Sequence, residues 1–217
     1  DILLIVHADH GGGNNSAFAT HVVSSSGTDT YSAIATAIGS LKGPKHGGAN
    51  LMVAQMIEDL KATVLDWTRR DAVMDYLRGI LRKENFNRKG LIYGMGHAVY
   101  TISDPRTTLL KSRAQHLAET TGYADDFQLL QNVESCTKEL MEEKDRLICA
   151  NVDLYAGLVY TMLGLDKHLY TPMFALARLA GWCAHRLEQI QDDKIMRPAY
   201  VNLSHPQEYV RIGERRD

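Results

Sequence analysis

The sequence predicts an all-α protein. Three observations carry that reading: only five prolines occur in 217 residues, apolar residues recur at spacings of three and four, and strand-like alternation is scarce. From the amino end, a short apolar run ending in His7-Ala8-Asp9-His10 is broken by Gly11-Gly12-Gly13-Asn14-Asn15, and a second break falls at Ser24-Ser25-Ser26-Gly27. Apolar positions 53, 56, 57, 60 and 64 line one face of a helix expected over 51–65. Asp104-Pro105 reads as a helix start, with Asp as the cap and Pro at the first helical position, and Leu109, Leu110 and Leu117 follow along it. The run 138–146, rich in both signs of charge, reads as a solvated helix face. Thr171-Pro172 repeats the start signal before a helix over 173–190, whose apolar positions 173, 176, 177, 180, 183, 187 and 190 form one stripe.

Composition narrows the class. Hydrophobic residues make up 45% and charged residues 23%, ordinary values for a globular chain. A net charge of -2 provides no basic field for nucleic acid. Cys136, Cys149 and Cys183 form no CxxC pair and read as buried or free thiols of a reducing compartment, so a cytoplasmic location is expected, with the mitochondrial matrix as the alternative. No apolar run is long enough to span a membrane, and the opening segment is too short for a signal peptide. Lacking an initiating Met, the chain reads as a piece of something longer.

Two segments concentrate chemistry: Gly43-Pro44-Lys45-His46-Gly47-Gly48-Ala49-Asn50, and Gly94-Met95-Gly96-His97-Ala98-Val99-Tyr100 followed by Asp104-Pro105-Arg106. Each sets a histidine among glycines, where backbone can approach a ligand closely. His46 precedes a helix whose N-terminal field disfavours its protonation, so a neutral ring donating one hydrogen bond is expected. A tight turn with a merely structural histidine is the alternative. Arg106, at the second position of its helix, suits an anion, or else a surface salt bridge. Asp153 sits where an apolar helix begins, as an N-cap or as a base for a carbon-bound proton. Arg178 interrupts an apolar stripe, which calls for a partner such as a bound carboxylate. Arg197 stands before Pro198 in a turn. His7 and His10 would share a face if helical, but with no HExxH or cysteine cluster a zinc site is disfavoured; His21, His116, His168, His185 and His205 have no motif around them and read as structural.

The order HADH, GPKHGGAN, GMGHAVY…DPR, NVDLYAG, ALARLAGWCAH and Arg197-Pro198 resembles the citrate synthase family over nearly the whole chain. The resemblance implies an all-α fold with residues 1–48 and 164–217 in a large domain and 49–163 in a small one, the amino-terminal half of the family chain being absent. It implies that His46 hydrogen-bonds the thioester oxygen of acetyl-CoA, that Asp153 removes the methyl proton, and that His97 polarises the ketone of oxaloacetate and protonates the new hydroxyl. His10, Arg106 and Arg178 would hold carboxylates, and Arg197 would reach in from a second subunit of a homodimer or higher homo-oligomer. The backbone of Leu91, Ile92, Tyr93, Gly94, Met95 and Gly96 would border the CoA adenine. No permanently bound cofactor is implied, acetyl-CoA being a cosubstrate.

Lys45 and Ala98 depart from common family patterns, and helices over 1–40 and 171–190 should expose apolar faces that the missing half would cover. Alternatives are a 2-methylcitrate synthase using propionyl-CoA, a citryl-CoA-cleaving module, and a fragment that binds without turnover.

Overall fold

The computed structural model describes residues 1–97, 99–201, 203–205 and 208–215; Ala98 lies outside them. Among the described residues there is no strand. The helices are α1 (Ile2–Ala8), α2 (Asn15–Ser24), α3 (Thr30–Leu41), α4 (Ala49–Thr63), α5 (Arg70–Leu81), α6 (Pro105–Thr121), α7 (Ala124–Glu142), α8 (Asp153–Met162) and α9 (Tyr170–Asp192), with 3-10 turns at Lys167–Leu169 and Ile212–Glu214. Among the described residues, no helix is long and apolar enough to cross a membrane.

Local chemistry sets the ends. Asp29 caps α3 by accepting from the Ser32 N–H, and Asp104 caps α6 by accepting from the Arg106 N–H with Pro105 at the first position. Helix α6 stops at Gly122, whose φ of 81° ends it in the left-handed conformation that lets the last carbonyls be met. The charged run after position 138 is helical only to Glu142.

Two expectations are corrected. Thr171 does not cap α9: Asp166 caps the 3-10 turn at Lys167–Leu169, which runs straight into the helix. Pro172 is tolerated because first-turn N–H groups have no intrahelical partner to lose. Nor is the apolar stripe of α9 its buried face. Of the stripe only Ala177 is buried, and Leu176, Leu187 and Ile190 are exposed, whereas Arg178, Gly181, Trp182, His185, Arg186 and Gln189 beside it are buried. The buried polar residues find partners far away in sequence. Arg186, for example, donates to the Thr28 carbonyl at 2.7 Å and to Thr30 Oγ1 at 3.1 Å. Exposed Leu4, Ile5, Phe18, Val22 and Ile38 show that α1 to α3 also carry apolar surface outward.

Among the described residues, two apolar clusters hold the molecule. The larger joins α4 to α8, with Met56, Leu60, Leu77, Leu110, Val133, Leu154 and Tyr155 at its centre, and takes in Leu3 and Val6 of α1. The smaller comprises Ala17, Ala37, Leu41 and Trp182 from α2, α3 and α9. The loops that follow α1, α3, α5 and α7 converge on a cleft, which α9 also borders.

Candidate active site

That cleft contains a cavity of about 110 Å3 lined by His10, Asn14, His46, His97, Arg106, Asn151, Val152, Asp153, Phe174 and Arg178. Six of the residues singled out in the sequence thus meet in one place, though they come from five separate segments. A larger cleft of about 480 Å3, bordered by α6 and α7, is lined by Lys111 and Lys138. Both of those lysines are already paired with Glu134.

The backbone fixes the histidine loops. Gly47 donates to the Leu41 carbonyl at 2.8 Å, and a Cβ on Gly47 would lie 2.5 Å from that oxygen, so the turn bearing His46 closes only with glycine there. Gly94 has a φ of 82°, and a Cβ on it would meet Leu154 at 2.9 Å. The strip around it is laced to the start of α8. Gly96 N–H donates to the Cys149 carbonyl at 2.7 Å, Asn151 N–H to the Gly94 carbonyl at 2.9 Å, and Asn151 Nδ2 to the Gly96 carbonyl at 2.9 Å. His97 and Asp153 are therefore held by one ladder.

Asp153 is not the N-cap. It is the first residue of α8, and Asn151 accepts its N–H at 3.1 Å. Burial pushes its carboxyl up to about 6, with the Arg106 and Arg178 charges opposing and Asp104 adding to the rise.

The four histidines are held neutral. Burial, then Arg178 and Arg106, lowers His7 to about 3; burial, Arg106, His97 and Arg178 lower His10 to about 4. His46 is lowered by burial and Arg178, and His97 by burial and Arg106 with Asp104 opposing. The direction expected for His46 holds, but burial is the main cause. His7 and His10 share no helical face: α1 ends at Ala8 and Asp9 is extended, so His7 packs inside against Phe174 while His10 turns to His97.

The arginines differ. Arg106 is no surface ion pair: its side chain is 15% exposed and makes a two-pronged contact with the buried Asp104, at 2.7 and 3.1 Å. Asp104 stays below the usual carboxylate range because that guanidinium outweighs burial, which pushes the other way. Arg178, 1% exposed, donates from Nε to the His7 carbonyl at 2.6 Å, and its Nη1 has no hydrogen-bond partner among the described residues. Burial lowers it to about 10, so it remains a cation. A buried guanidinium without a carboxylate partner is a ready site for an anionic ligand.

Five contributors escaped the sequence reading. Asn14, Asn151, Val152 and Phe174 line the cavity, and Ser16 sits behind His46. Ser16 Oγ receives the Trp182 Nε1–H at 3.0 Å and has one proton to give, to Asn14 Oδ1 at 3.0 Å or to His46 Nε2 at 3.0 Å. That choice sets which ring nitrogen of His46 carries hydrogen. The Asn14-x-Ser16 pair beside a glycine run was the available signal. Arg197 follows α9 in an exposed segment without regular secondary structure and is not among the residues lining its own chain's cavity.

An all-helical scaffold gathers neutral imidazoles, a carboxyl raised to about 6 and a buried arginine around one cavity. Residues 1–199 match the family model described as citrate synthase, C-terminal domain. The chain is 41% identical over 216 residues to a citrate synthase of Deinococcus radiodurans, covering 99% of this chain and 53% of that one. It is 37% identical over 217 residues to a 2-methylcitrate synthase of Shewanella oneidensis, with 99% and 53% covered. The crystal structure of the Thermotoga maritima citrate synthase superposes with a TM-score of 0.80 at 32% identity, over 99% of this chain and 55% of that one. A Thermoplasma acidophilum citrate synthase, solved as a ternary complex with carboxymethyl coenzyme A and oxaloacetate, superposes with a TM-score of 0.79 at 30% identity, over 98% and 54%. This chain belongs to the citrate synthase family. It spans about half the length of the curated relatives it matches.

Proposed function

We propose that this chain carries the catalytic groups of a citrate synthase, condensing acetyl-CoA with oxaloacetate and hydrolysing citryl-CoA to citrate and CoA. The observation that carries the reading is the meeting of His46, His97, Asp153 and Arg178, whose Nη1 has no hydrogen-bond partner among the described residues, at one cavity. Asp153 takes a methyl proton, and the C–H electrons pass into the thioester carbonyl to give an enolate. A carboxylate raised to about 6 is largely ionised at neutral pH yet basic enough for the task. His46 donates to the developing oxyanion from the ring nitrogen not facing Ser16, provided Ser16 turns its proton to Nε2; one such preorganised donor is commonly worth about 3 kcal/mol.

The enolate carbon then attacks the ketone of oxaloacetate, and the ketone oxygen takes the proton from His97 Nε2. His10, Arg106 and Arg178 hold the substrate carboxylates. Water then cleaves the thioester. With the Gly94 and Gly96 carbonyls engaged by Asn151, contacts to the CoA adenine fall to the strip's other backbone groups, from Leu91 to Tyr93 and at Met95.

In this reading residues 1–48 and 164–217 form part of a large domain and 49–163 a small one, closing over substrate to exclude water. Arg197 completes the site of a partner copy in a cytoplasmic homodimer. Relatives named 2-methylcitrate synthase favour propionyl-CoA as the second candidate acyl donor. One methylene discriminates by only about 1–3 kcal/mol, so rates with the two thioesters decide between them.

The test is CoA thiol release from acetyl-CoA or propionyl-CoA plus oxaloacetate, using the chain alone and joined to the amino-terminal half its relatives carry. Turnover abolished by Asp153→Ala supports the reading. A folded, joined protein inactive with both thioesters overturns it.

A further inference from the structure

Behind the His10 loop, outside the cavity, a second histidine pair stands in an arrangement the condensation does not use. His21 of α2 and His185 of α9 face each other, His21 Nε2 lying 3.1 Å from His185 Nδ1, and Glu188 brings a carboxylate oxygen to 3.3 Å from the same His185 nitrogen. The three ligand atoms lie within 4.8 Å of one another.

Counting hydrogens shows what the pair lacks. His185 Nε2 is 2.8 Å from Asp9 Oδ1, and Asp9 is pinned through its other oxygen by the Gly11 N–H at 3.0 Å. The single hydrogen of a neutral His185 ring therefore points at Asp9. His21 Nδ1 is 3.0 Å from Gln189 Oε1, and the amide of Gln189 is oriented by its Nε2 donating to the Lys194 carbonyl at 3.2 Å. The hydrogen of His21 therefore points at Gln189. With both rings in these neutral tautomers, two lone pairs and a carboxylate converge with no hydrogen between them.

We propose that His21 Nε2, His185 Nδ1 and the Glu188 carboxylate form a three-ligand site for a divalent transition-metal cation of the Zn2+ type. Metal–ligand bonds of about 2.0–2.1 Å at tetrahedral angles put ligand atoms roughly 3.3 Å apart, the spacing His185 already shows to both neighbours. Glu188 has a 69% exposed side chain and is free to close the remaining gap. Two histidines and a carboxylate suit a borderline divalent ion. Asp9 and Gln189 are the outer partners that fix ring orientation and raise ligand basicity at such centres. Gly12 roofs the site: a Cβ there would lie 3.3 Å from His21 Nε2, so its absence leaves room for a water as fourth ligand. The spacing on α9, His185-x-x-Glu188-Gln189, puts both ligands and one orienting group on the same turn. A bound ion would tie α2 and α9 to the loop that carries His10.

The test is titration of the chelator-stripped protein with Zn2+ against a chromophoric competitor, repeated with Co2+ to read the visible bands of a tetrahedral site. One Zn2+ per chain is expected, weakened at least tenfold in His21→Ala and in Glu188→Gln, and about 10–100-fold in Asp9→Asn. Glu188 is exposed, so Glu188→Gln keeps the test meaningful if the histidine variant fails to fold. No stoichiometric uptake, or uptake unchanged in these variants, overturns the proposal; in the first case a proton shared between the rings fills the gap.

Discussion

His97 gives its Nε2 hydrogen to His10 Nε2 across 2.9 Å, and the backbone dictates that direction. His97 Nδ1 accepts the N–H groups of Val99 at 2.9 Å and Tyr100 at 3.1 Å, so a neutral ring carries its hydrogen on Nε2. Arg106 Nη2, 3.3 Å from the same nitrogen, finds no lone pair there. An oxygen entering beside them would accept from both. His97→Ala should therefore lower kcat by about 10²–10³-fold, the range for losing a positioned proton donor, with a smaller change in KM for oxaloacetate. Steady-state kinetics check this, and a loss under tenfold would remove His97 from the chemistry.

Much of this was legible in the sequence for local reasons. Asp104-Pro105 caps a helix by its own side chain and ring, and glycines around His46 and His97 report turns that admit no Cβ. The buried face of α9 was not legible. Its polar residues are satisfied by groups such as the His7 carbonyl, 171 positions away from Arg178, so the apolar periodicity pointed to the wrong side. Asn14, Ser16 and Phe174 were missed because their roles depend on what the fold sets beside them.

Arg178→Lys should separate charge from geometry. Lysine keeps the cation but cannot both donate to the His7 carbonyl and offer a fork to a carboxylate. We expect kcat/KM for oxaloacetate to fall about 10–100-fold, corresponding to a charged hydrogen bond of about 1.5–3 kcal/mol. The KM for the thioester should move little. Equal loss for both substrates would argue against a carboxylate-binding role.

Asp153 links activity to stability. In the proposed mechanism Asp153 must be ionised to act as the base, so kcat/KM should rise tenfold per pH unit below about pH 6 and level off above it. Its folded value lies above its unfolded one, so the folded state binds the proton more tightly. The carboxyl therefore costs nothing below pH 4 and costs stability as pH climbs through 6, on the order of 1–3 kcal/mol once ionised. Asp153→Asn should abolish turnover yet raise Tm at pH 7, with the gain shrinking toward pH 5. A lower Tm at pH 7 would mean that the carboxylate stabilises the fold.

His7 and His10 act in the opposite sense. Both are depressed, to about 3 and about 4, so the folded state refuses protons that the unfolded chain accepts below pH 6.5. Between about pH 4 and 6 the unfolded chain holds two more protons on these rings and one fewer on Asp153. From these three groups stability should thus gain about 1.4 kcal/mol per pH unit on the way up, the linkage value for one net proton. His7 is the cleaner probe because it is 1% exposed and both ring nitrogens lack hydrogen-bond partners among the described residues. Packed against Phe174 and beneath Arg178, it behaves as an apolar ring that must stay neutral. His7→Phe removes the titration while roughly preserving shape, so its urea midpoint should depend less steeply on pH from 4 to 6 than that of the parent chain. Identical slopes in the two proteins would show that His7 is protonated while folded, and that acid sensitivity originates elsewhere.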